Sequence, residues 1–158
     1  VVRLVGSEMC IRDRIWRDFF KYVSMQHKDK FFSRDGIYGD NKEWSKDMEI
    51  LSNWINGKTN EPFVNANMIE LLETGFMSNR GRQNVANYLT KELKIDWRIG
   101  AEYFESMLID YDVHSNYGNW LYNAGIGNDS MPFRKFNPKL QSERYDPNKL
   151  YEKTWLND

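Results

Sequence analysis

The chain has 158 residues, with 22 Lys plus Arg and 23 Asp plus Glu, so its formal net charge is −1. This near-balance argues against a protein that coats polyanions through summed positive charge, although a local basic patch remains compatible with it. Hydrophobic residues make up 41% of the chain and aromatic residues 15%, which suffices for a packed core and excludes a disordered chain. No apolar run reaches bilayer length, and one cysteine excludes an intramolecular disulfide framework.

The amino-terminal segment is the first feature along the chain. Residues 1–14, VVRLVGSEMCIRDR, resemble a sequencing adapter translated in frame, and an ordinary amphipathic lead-in is the alternative. A signal peptide is a poor fit because Arg3, Gly6, Ser7 and Glu8 interrupt the apolar stretch. We therefore expect residues 1–14 to be foreign to the fold.

The first half of the remaining sequence predicts two helices separated by a loop. Apolar residues recur at one-, three- and four-residue steps over 15–23, which is the spacing of one helical face. Residues 28–43 lose this period and predict a loop, and Ser45 is the expected cap of the second helix, which ends before Gly57. The residues expected to face the core are Ile15, Trp16, Phe19, Phe20 and Val23, followed by Met48, Leu51, Trp54 and Ile55.

The following sequence predicts three longer helices. Pro62 begins one of them and Gly75 ends it, a fourth helix covers about 80–93, and Asp96 is suited to cap a fifth. The residues expected to face the core are Val64, Met68, Leu71 and Leu72, then Val85, Ala86, Leu89 and Leu93, then Trp97, Ala101, Phe104, Met107 and Leu108.

The last part of the chain predicts shorter helices. A polar helix reaches about Asn123, and the pairs 137–138 and 146–147 each place a capping residue before a proline at the first helical position. Residues 56–61 and 124–136 are expected loops. Because no alternating apolar–polar run of strand length is found, the predicted fold class is all-α.

Two polar segments are candidates for a ligand site. GFMSNRGRQN at 75–84 brings two arginines and two asparagines to a helix start, which suits an anion. The segment 110–120 interleaves polar residues with aromatic ones, an arrangement expected where a planar polar ligand binds. Capped helix ends and a solvated face are the alternative for both segments. His27 and His114 have no ligand-like neighbours, so no metal site is expected.

Four strings give a more specific indication. IWRDFF, GFMSNRGRQNVA, KIDWRIGAEYF and DYDVHSNYGNW together resemble the carboxy-terminal FAD-binding domain of the photolyase/cryptochrome family, and the DASH type within it. The resemblance runs from about Ile15 to Leu156. It implies a helical FAD-binding domain of which only the later portion is present, without the antenna domain or the upstream phosphate-binding segment. We therefore expect a truncated fragment that is inactive alone.

The resemblance also assigns roles to individual residues. Residues expected to contact FAD are Asn79, Arg82, Asp110, Tyr111, Asp112 and Asn116, with Asp110 pairing with Arg82 and Asn116 facing the flavin N5. Residues expected to contact DNA are Trp16, Arg17, Asn79, Arg80, Tyr122 and Gln141. Residues expected to form an electron relay from the flavin to the surface are Trp120, Trp97 and Trp44. Trp54 and Trp155 are expected to serve packing.

Two positions depart from the family pattern. Tyr122 stands where standard photolyases carry a second pocket tryptophan, which fits the DASH type and predicts weak binding of a lesion within duplex DNA. Asn65 stands where the family usually has Asp.

The function implied for the full-length protein is a deoxyribodipyrimidine photolyase activity. We expect FAD-dependent, blue-light-driven repair of cyclobutane pyrimidine dimers, favouring single-stranded DNA because an unpaired lesion leaves the stack more easily. A monomer without membrane attachment is expected, located inside the cell and in the cytoplasm if bacterial. The alternatives are a blue-light photoreceptor that signals through flavin redox state without repair, and a helical nucleic-acid-binding module without cofactor.

Overall fold

A computed structural model describes residues 5–156, with side chains from residue 14 onward. The α-helices in this range are α1 Val5–His27, α2 Met48–Ile55, α3 Pro62–Thr74, α4 Asn79–Asn87, α5 Trp97–Met107, α6 Val113–Ala124, α7 Pro138–Tyr145 and α8 Leu150–Leu156. A 3₁₀ helix, Lys28–Phe32, follows α1, and a π-helical segment, Tyr88–Glu92, continues α4. Between residues 5 and 156 the only β pairing is one isolated bridge, Ser45 to Ile95, so the predicted all-α class is confirmed.

Helix α1 includes part of the segment expected to be foreign. It begins at Val5 and is continuous through Arg14 to His27. The side chains of residues 1–13, on which the expected lack of packing depends, lie outside the described residues, so the foreign origin of 1–14 stays a prediction. None of the described helices is both long and apolar enough to cross a membrane.

The centre of the fold is the contact between α5 and α6. The Trp120 ring on α6 packs edge-on against Phe104 on α5, with ring centroids 5.1 Å apart. Gly100 faces the same indole so closely that a Cβ atom there would overlap the Trp120 ring. Asn116 ties the two helices further, because its Nδ2 donates to the Ala101 carbonyl at 2.9 Å. Helix α1 packs against α6 as well.

Several helix ends are formed by the predicted residues. Pro62 begins α3, Gly75 ends it with a left-handed φ of 69°, and the Asp96 side chain caps α5. Asn137 caps α7 in the same way. These features could be predicted because a cap depends only on residues close in sequence.

Other predicted boundaries are wrong. The cap of α2 is Asp47, whose Oδ1 accepts from the amides of Glu49 and Ile50, and Ser45 instead pairs its backbone with the chain near Ile95. The fourth helix keeps α geometry only to Asn87. Near the carboxyl end, the Asp146 carboxylate does accept amides of the last helix, but α8 begins at Leu150 rather than directly after the Asp–Pro pair.

Some residues predicted to face the core are exposed. Met48 is 68% exposed, Leu72 is 47% exposed and Ile15 is 60% exposed. Each lies at the edge of its apolar stripe, where helical spacing alone does not tell whether a neighbouring element covers it. Trp16 and Phe19 are also exposed, so of the five residues expected to form this face Phe20 and Val23 are buried.

The predicted loop 124–136 is held firmly against the helices. Lys42 and Lys91 both donate to the carbonyl of Ala124, at 2.7 and 2.8 Å, where α6 ends. Two ammonium groups at a helix carboxyl end complement its partial negative charge. Burial, with the neighbouring charge of Lys42, lowers the pKa of Lys91 to about 8. Asn87 adds two hydrogen bonds to the backbone, donating to the Arg134 carbonyl and accepting from the amide of residue 136.

Asn65, one of the two departures from the family pattern, closes the loop before α3. Its Oδ1 accepts from the amide and hydroxyl of Thr59 at 2.9 and 2.6 Å, and its Nδ2 donates to the Thr59 carbonyl at 2.8 Å. A carboxylate could make the first two hydrogen bonds but has no proton for the third. The hydrogen bonds to Thr59 therefore explain why an amide side chain suits position 65.

The cap of α2 provides a direct test of the corrected boundary. We expect Asp47→Ala to lower the free energy of unfolding by about 1 kcal/mol, the usual effect of losing a capping side chain. Ser45→Ala is the matched control and should change it by a few tenths at most, since Ser45 Oγ accepts only one exposed hydrogen bond of 3.2 Å. Urea denaturation followed by tryptophan fluorescence measures both, and a larger loss in the Ser45 variant would contradict the assignment.

Candidate functional site

An ion pair between α4 and the turn that precedes α6 forms the middle of the candidate site. Nη2 of Arg82 lies 2.8 Å from Oδ1 and 2.9 Å from Oδ2 of Asp110. A second hydrogen bond, from Arg82 Nε to the Met77 carbonyl at 2.8 Å, fixes the guanidinium. The side chains of Arg82 and Asp110 remain 27% and 50% exposed, so both groups are open to a ligand on one side. The predicted pairing of these residues is present.

Two further predicted residues lie on the first turns of α6. Asp112 caps the helix and accepts from the Ser115 amide at 2.9 Å. Burial raises the pKa of Asp112, but the hydrogen bonds from Ser115 and the charges of Arg17 and His114 outweigh it, so the net pKa is lowered. Asn116 is buried, with its amide nitrogen committed to α5. The site therefore presents a held guanidinium, two carboxylates and a carboxamide.

Tyr111, between the two carboxylates, differs from them in its environment. Burial, together with the nearby Glu105 carboxylate, raises the pKa of Tyr111 well above its ordinary value. The phenol is therefore protonated at any physiological pH and serves as a hydrogen-bond donor rather than a charge.

The predicted lesion-pocket residues Trp16 and Tyr122 are brought together. Their ring centroids are 6.0 Å apart with the rings nearly perpendicular, and Trp16 is 45% exposed. The guanidinium of Arg134 lies beside them, with Nη2 3.4 Å from the Tyr122 hydroxyl. The positive charge of Arg17, also predicted for this pocket, helps to lower the pKa of Asp112. The result is an aromatic edge with a cation at its side.

The other predicted DNA-contacting residues lie where α4 meets α7. Asn79 and Arg80 are exposed on the first turn of α4, and the Arg80 guanidinium lies 4.8 Å from the centre of the Tyr145 ring. Gln141 is near the same turn, since its Oε1 lies 3.5 Å from Nδ2 of Asn84. The Asn84 Oδ1 is buried and has no partner within the described chain. These residues form one polar face.

The predicted relay tryptophans share one region but not ring contacts. Trp120 and Trp97 are fully buried, whereas Trp44 is half-buried and lines a surface cavity of about 280 Å³ beside Ile95. Trp97 begins α5 and donates from Nε1 to the Arg34 carbonyl at 3.2 Å, and Arg34 lines the same cavity. None of the ring contacts in the described chain joins two of these three indoles.

Three aromatic or polar contacts near the site were not foreseen. Trp54, expected to serve packing, is fully buried but lies 6.4 Å from Trp120, ring centre to ring centre. Tyr117 lies 6.0 Å from Trp97. His114 Nδ1 and Ser24 Oγ are 2.9 Å apart and join α6 to α1. A helical projection of α6 would have placed Tyr117 and Trp120 on one face, but their partners come from other helices and have no local signal.

Taken together, the fold and this cluster define a helical domain suited to a planar, polar cofactor. The family model described as the FAD-binding domain of DNA photolyase matches residues 10–158, which include the last five residues of the segment expected to be foreign. The chain therefore belongs to the photolyase/cryptochrome family, as its motifs indicate.

The relatives within that family narrow the comparison. The chain is 55% identical over 151 residues, 96% of its length, to a cryptochrome DASH of Synechocystis sp., of which it covers 31%. It is 52% identical over 146 residues to a cryptochrome DASH of Danio rerio, covering 92% of this chain and 28% of the relative. The chain thus spans about a third or less of the length of these curated relatives.

Solved structures agree with the fold. The crystal structure of the Synechocystis sp. PCC6803 cryptochrome matches with a TM-score of 0.95 and 52% identity, over 99% of this chain and 32% of that one. An archaeal photolyase from Sulfolobus tokodaii, solved with two FAD molecules, matches with a TM-score of 0.89 and 37% identity, over 97% of this chain and 36% of that one.

The residues present fit the flavin that this domain family binds. An isoalloxazine ring has hydrogen-bond donors and acceptors along one edge, and the site offers both kinds of group. The guanidinium of Arg82 is held in place by Met77 while one side of its ion pair stays open. Asn116 has its nitrogen engaged by Ala101, which leaves its oxygen as the group available to a ligand. The individual flavin contacts of these residues stay predictions.

The ion pair generates a test that separates stability from binding. Because Arg82 and Asp110 are partly exposed, Asp110→Asn should change the free energy of unfolding by less than about 1 kcal/mol. Its carboxylate faces the open side of the pair, so FAD retention should nevertheless fall in the full-length protein. Equilibrium dialysis against FAD measures binding, with Glu102→Gln on exposed α5 surface as the control. Equal FAD retention in both variants would show that Asp110 does not contribute to FAD binding.

Proposed function

We propose that the full-length protein repairs cyclobutane pyrimidine dimers in DNA with blue light, and that it acts best on single-stranded or locally unpaired DNA. In this reaction the dimer accepts one electron, the two carbon–carbon bonds that join the pyrimidines break, and the electron is returned. The reaction is therefore redox-neutral overall and needs no consumed reductant. Bound FAD supplies the group that absorbs light and exchanges single electrons.

The contribution of the protein at the flavin is electrostatic. Arg82 offers a fixed positive charge and Asp110 a negative one, and their mutual pairing keeps the net charge beside the ring near zero. Asp112 remains ionised because its pKa is lowered. Asn116 offers a neutral oxygen from a buried position. Such fixed groups are the usual means by which a protein favours particular redox and protonation states of a cofactor.

The observation that carries the proposal is the exposed aromatic edge formed by Trp16 and Tyr122. A flipped lesion can stack on aromatic rings, and Trp16 offers nearly half its surface for that purpose. Arg134 stands at the same edge, where a guanidinium can contact a phosphate. An exposed indole beside a cation is suited to stacking on a base and contacting a phosphate, which favours repair over the photoreceptor alternative.

The DNA backbone would follow the face where α4 meets α7. Arg80 is exposed and Arg144 lies over the same Tyr145 ring, 5.5 Å from its centre, so two cations flank one aromatic residue. Asn79 and Gln141 add neutral polar groups to this face. Contacts of this kind position a strand without reading its sequence, which suits a lesion that occurs in any sequence context.

The buried tryptophans would restore the working redox state of the flavin. Trp120 and Trp97 are fully enclosed, and Trp44 is half-buried. An indole can lose one electron transiently, so a set of indoles that extends from the core toward the surface supports electron supply from outside.

The relay is tested at its middle member. In the full-length protein, Trp97→Phe should sharply slow light-driven reduction of oxidised FAD, because phenylalanine fills most of the space but is much harder to oxidise. Trp54→Phe is the matched control, since Trp54 is equally buried but is expected to serve packing. Flavin absorbance under blue light with excess reductant measures both. If flavin reduction is slow only in the Trp54 variant, electrons pass through Trp54 rather than Trp97.

The substrate preference is tested at Tyr122. Stacking on aromatic side chains is worth about 1–3 kcal/mol per base, and a phenol offers less surface than an indole. Flipping a lesion from a duplex costs a few kcal/mol more than from a single strand. We therefore expect faster repair in single strands than in intact duplex, and Tyr122→Trp should narrow that difference.

The assay for this preference compares matched oligonucleotides. Dimer loss is followed under blue light with reduced FAD, at one salt concentration, on single- and double-stranded forms of one sequence. Equal rates on the two forms would contradict the preference. An absence of repair on both, with FAD bound, would favour the photoreceptor function over repair.

A further inference from the structure

Tyr117 is the aromatic residue in ring contact with Trp97. It lies on α6, three residues before Trp120, and its ring meets the Trp97 indole at an interplanar angle of 84° with centroids 6.0 Å apart. Phe32 covers another side of the phenol at 4.9 Å. Tyr117 is half-buried, so it lies between an enclosed indole and the protein surface.

The hydroxyl of Tyr117 has a base within reach. It donates to Oε2 of Glu105 on α5 at 3.4 Å, and Glu105 is exposed. A proton acceptor matters here because a phenol that loses an electron becomes strongly acidic, and an acceptor already in place allows both particles to leave together.

We infer that Tyr117 and Glu105 form a proton-coupled electron donor that reduces oxidised Trp97. This inference rests on the proposed relay, in which Trp120 and Trp97 would supply an electron to bound FAD and leave Trp97 oxidised. One electron then moves from Tyr117 to the Trp97 cation radical, and the phenolic proton moves from Oη to Oε2 of Glu105. The products are closed-shell Trp97, a neutral phenoxyl radical and a neutral carboxylic acid.

The local environment supports this direction of transfer. Burial, with the negative charges of Glu105 and Glu102, raises the pKa of Tyr117, while Arg98 lowers it. The ground-state phenol is therefore protonated, so its oxidation must release a proton, and Glu105 is positioned to take it. The half-exposed phenoxyl would then be open to a thiol reductant in solution, which would donate one electron while Glu105 returns the proton to the phenolic oxygen.

Tyr117 differs in this respect from another tyrosine of the same region. Tyr103 lies 5.8 Å from the Trp54 ring, and its hydroxyl is buried without a partner in the described chain. Oxidation of Tyr103 would leave its proton without an acceptor. Tyr103→Phe is therefore a matched control for Tyr117→Phe, since each removes one hydroxyl from a partly buried ring next to a buried indole.

The test is flash photolysis of the full-length protein with oxidised FAD bound. The unchanged protein should show the narrow absorption of a neutral phenoxyl radical as the indole radical decays. Tyr117→Phe should abolish that absorption and prolong the indole radical, and Glu105→Gln should weaken it while keeping the phenol. Deuterium oxide should slow the transfer in the unchanged protein. Tyr103→Phe should keep the phenoxyl absorption and the normal decay of the indole radical. The FAD content of each variant confirms that it is folded.

The outcomes separate this inference from the relay itself. If Trp97→Phe abolishes radical formation beyond Trp120 but Tyr117→Phe leaves the phenoxyl absorption unchanged, the relay stands and the assignment to Tyr117 is wrong. If Trp97→Phe changes nothing, the proposed relay fails, and the assignment to Tyr117 fails with it. A phenoxyl signal that is lost in Tyr103→Phe would also overturn the assignment, since it would identify the wrong ring.

Discussion

The close approach of α5 to α6 at Gly100 is the contact on which the rest of the domain depends. A side chain at this position would meet the Trp120 indole and the Leu89 methyl groups, so only glycine lets the two helices pack at this distance. The hydrogen bond from Asn116 to the Ala101 carbonyl and the ring contact between Phe104 and Trp120 both require that spacing. The missing Cβ atom at Gly100 therefore allows the close spacing between α5 and α6.

The two ends of α6 carry charged side chains of opposite sign. At its amino-terminal end, Asp112 caps the helix, and the preceding turn holds Asp110 against Arg82 of α4. At its carboxyl end, Lys42 and Lys91 converge on the last carbonyl groups. The helix thus has carboxylates at its positive end and ammonium groups at its negative end, which stabilises the charges needed at the site without burying an unpaired ion.

Local chemistry explains which structural features could be predicted from sequence. Asp96 and Asn137 could be recognised as caps, and Gly75 as a helix end, because each acts on residues at most a few positions away. The exposure of Met48 and Leu72 could not be predicted from sequence, because it depends on whether another helix packs against the edge of the apolar face. The motifs brought Arg82 and Asp110 together correctly, although 28 residues separate them, because a family resemblance carries tertiary information that periodicity lacks.

The limits of motif reasoning are clearest among the aromatic residues. A motif identifies Trp97 and Trp120 as candidate relay residues. Whether either indole can lose an electron depends on the neighbouring side chains and on the presence of a proton acceptor. Tyr117 has both an indole contact and a carboxylate, whereas Tyr103 has an indole contact and no acceptor. The two tyrosines therefore differ in whether the hydroxyl has a proton acceptor, which for Tyr117 is the Glu105 carboxylate of α5. That difference is tertiary, and only the packing of α5 on α6 creates it.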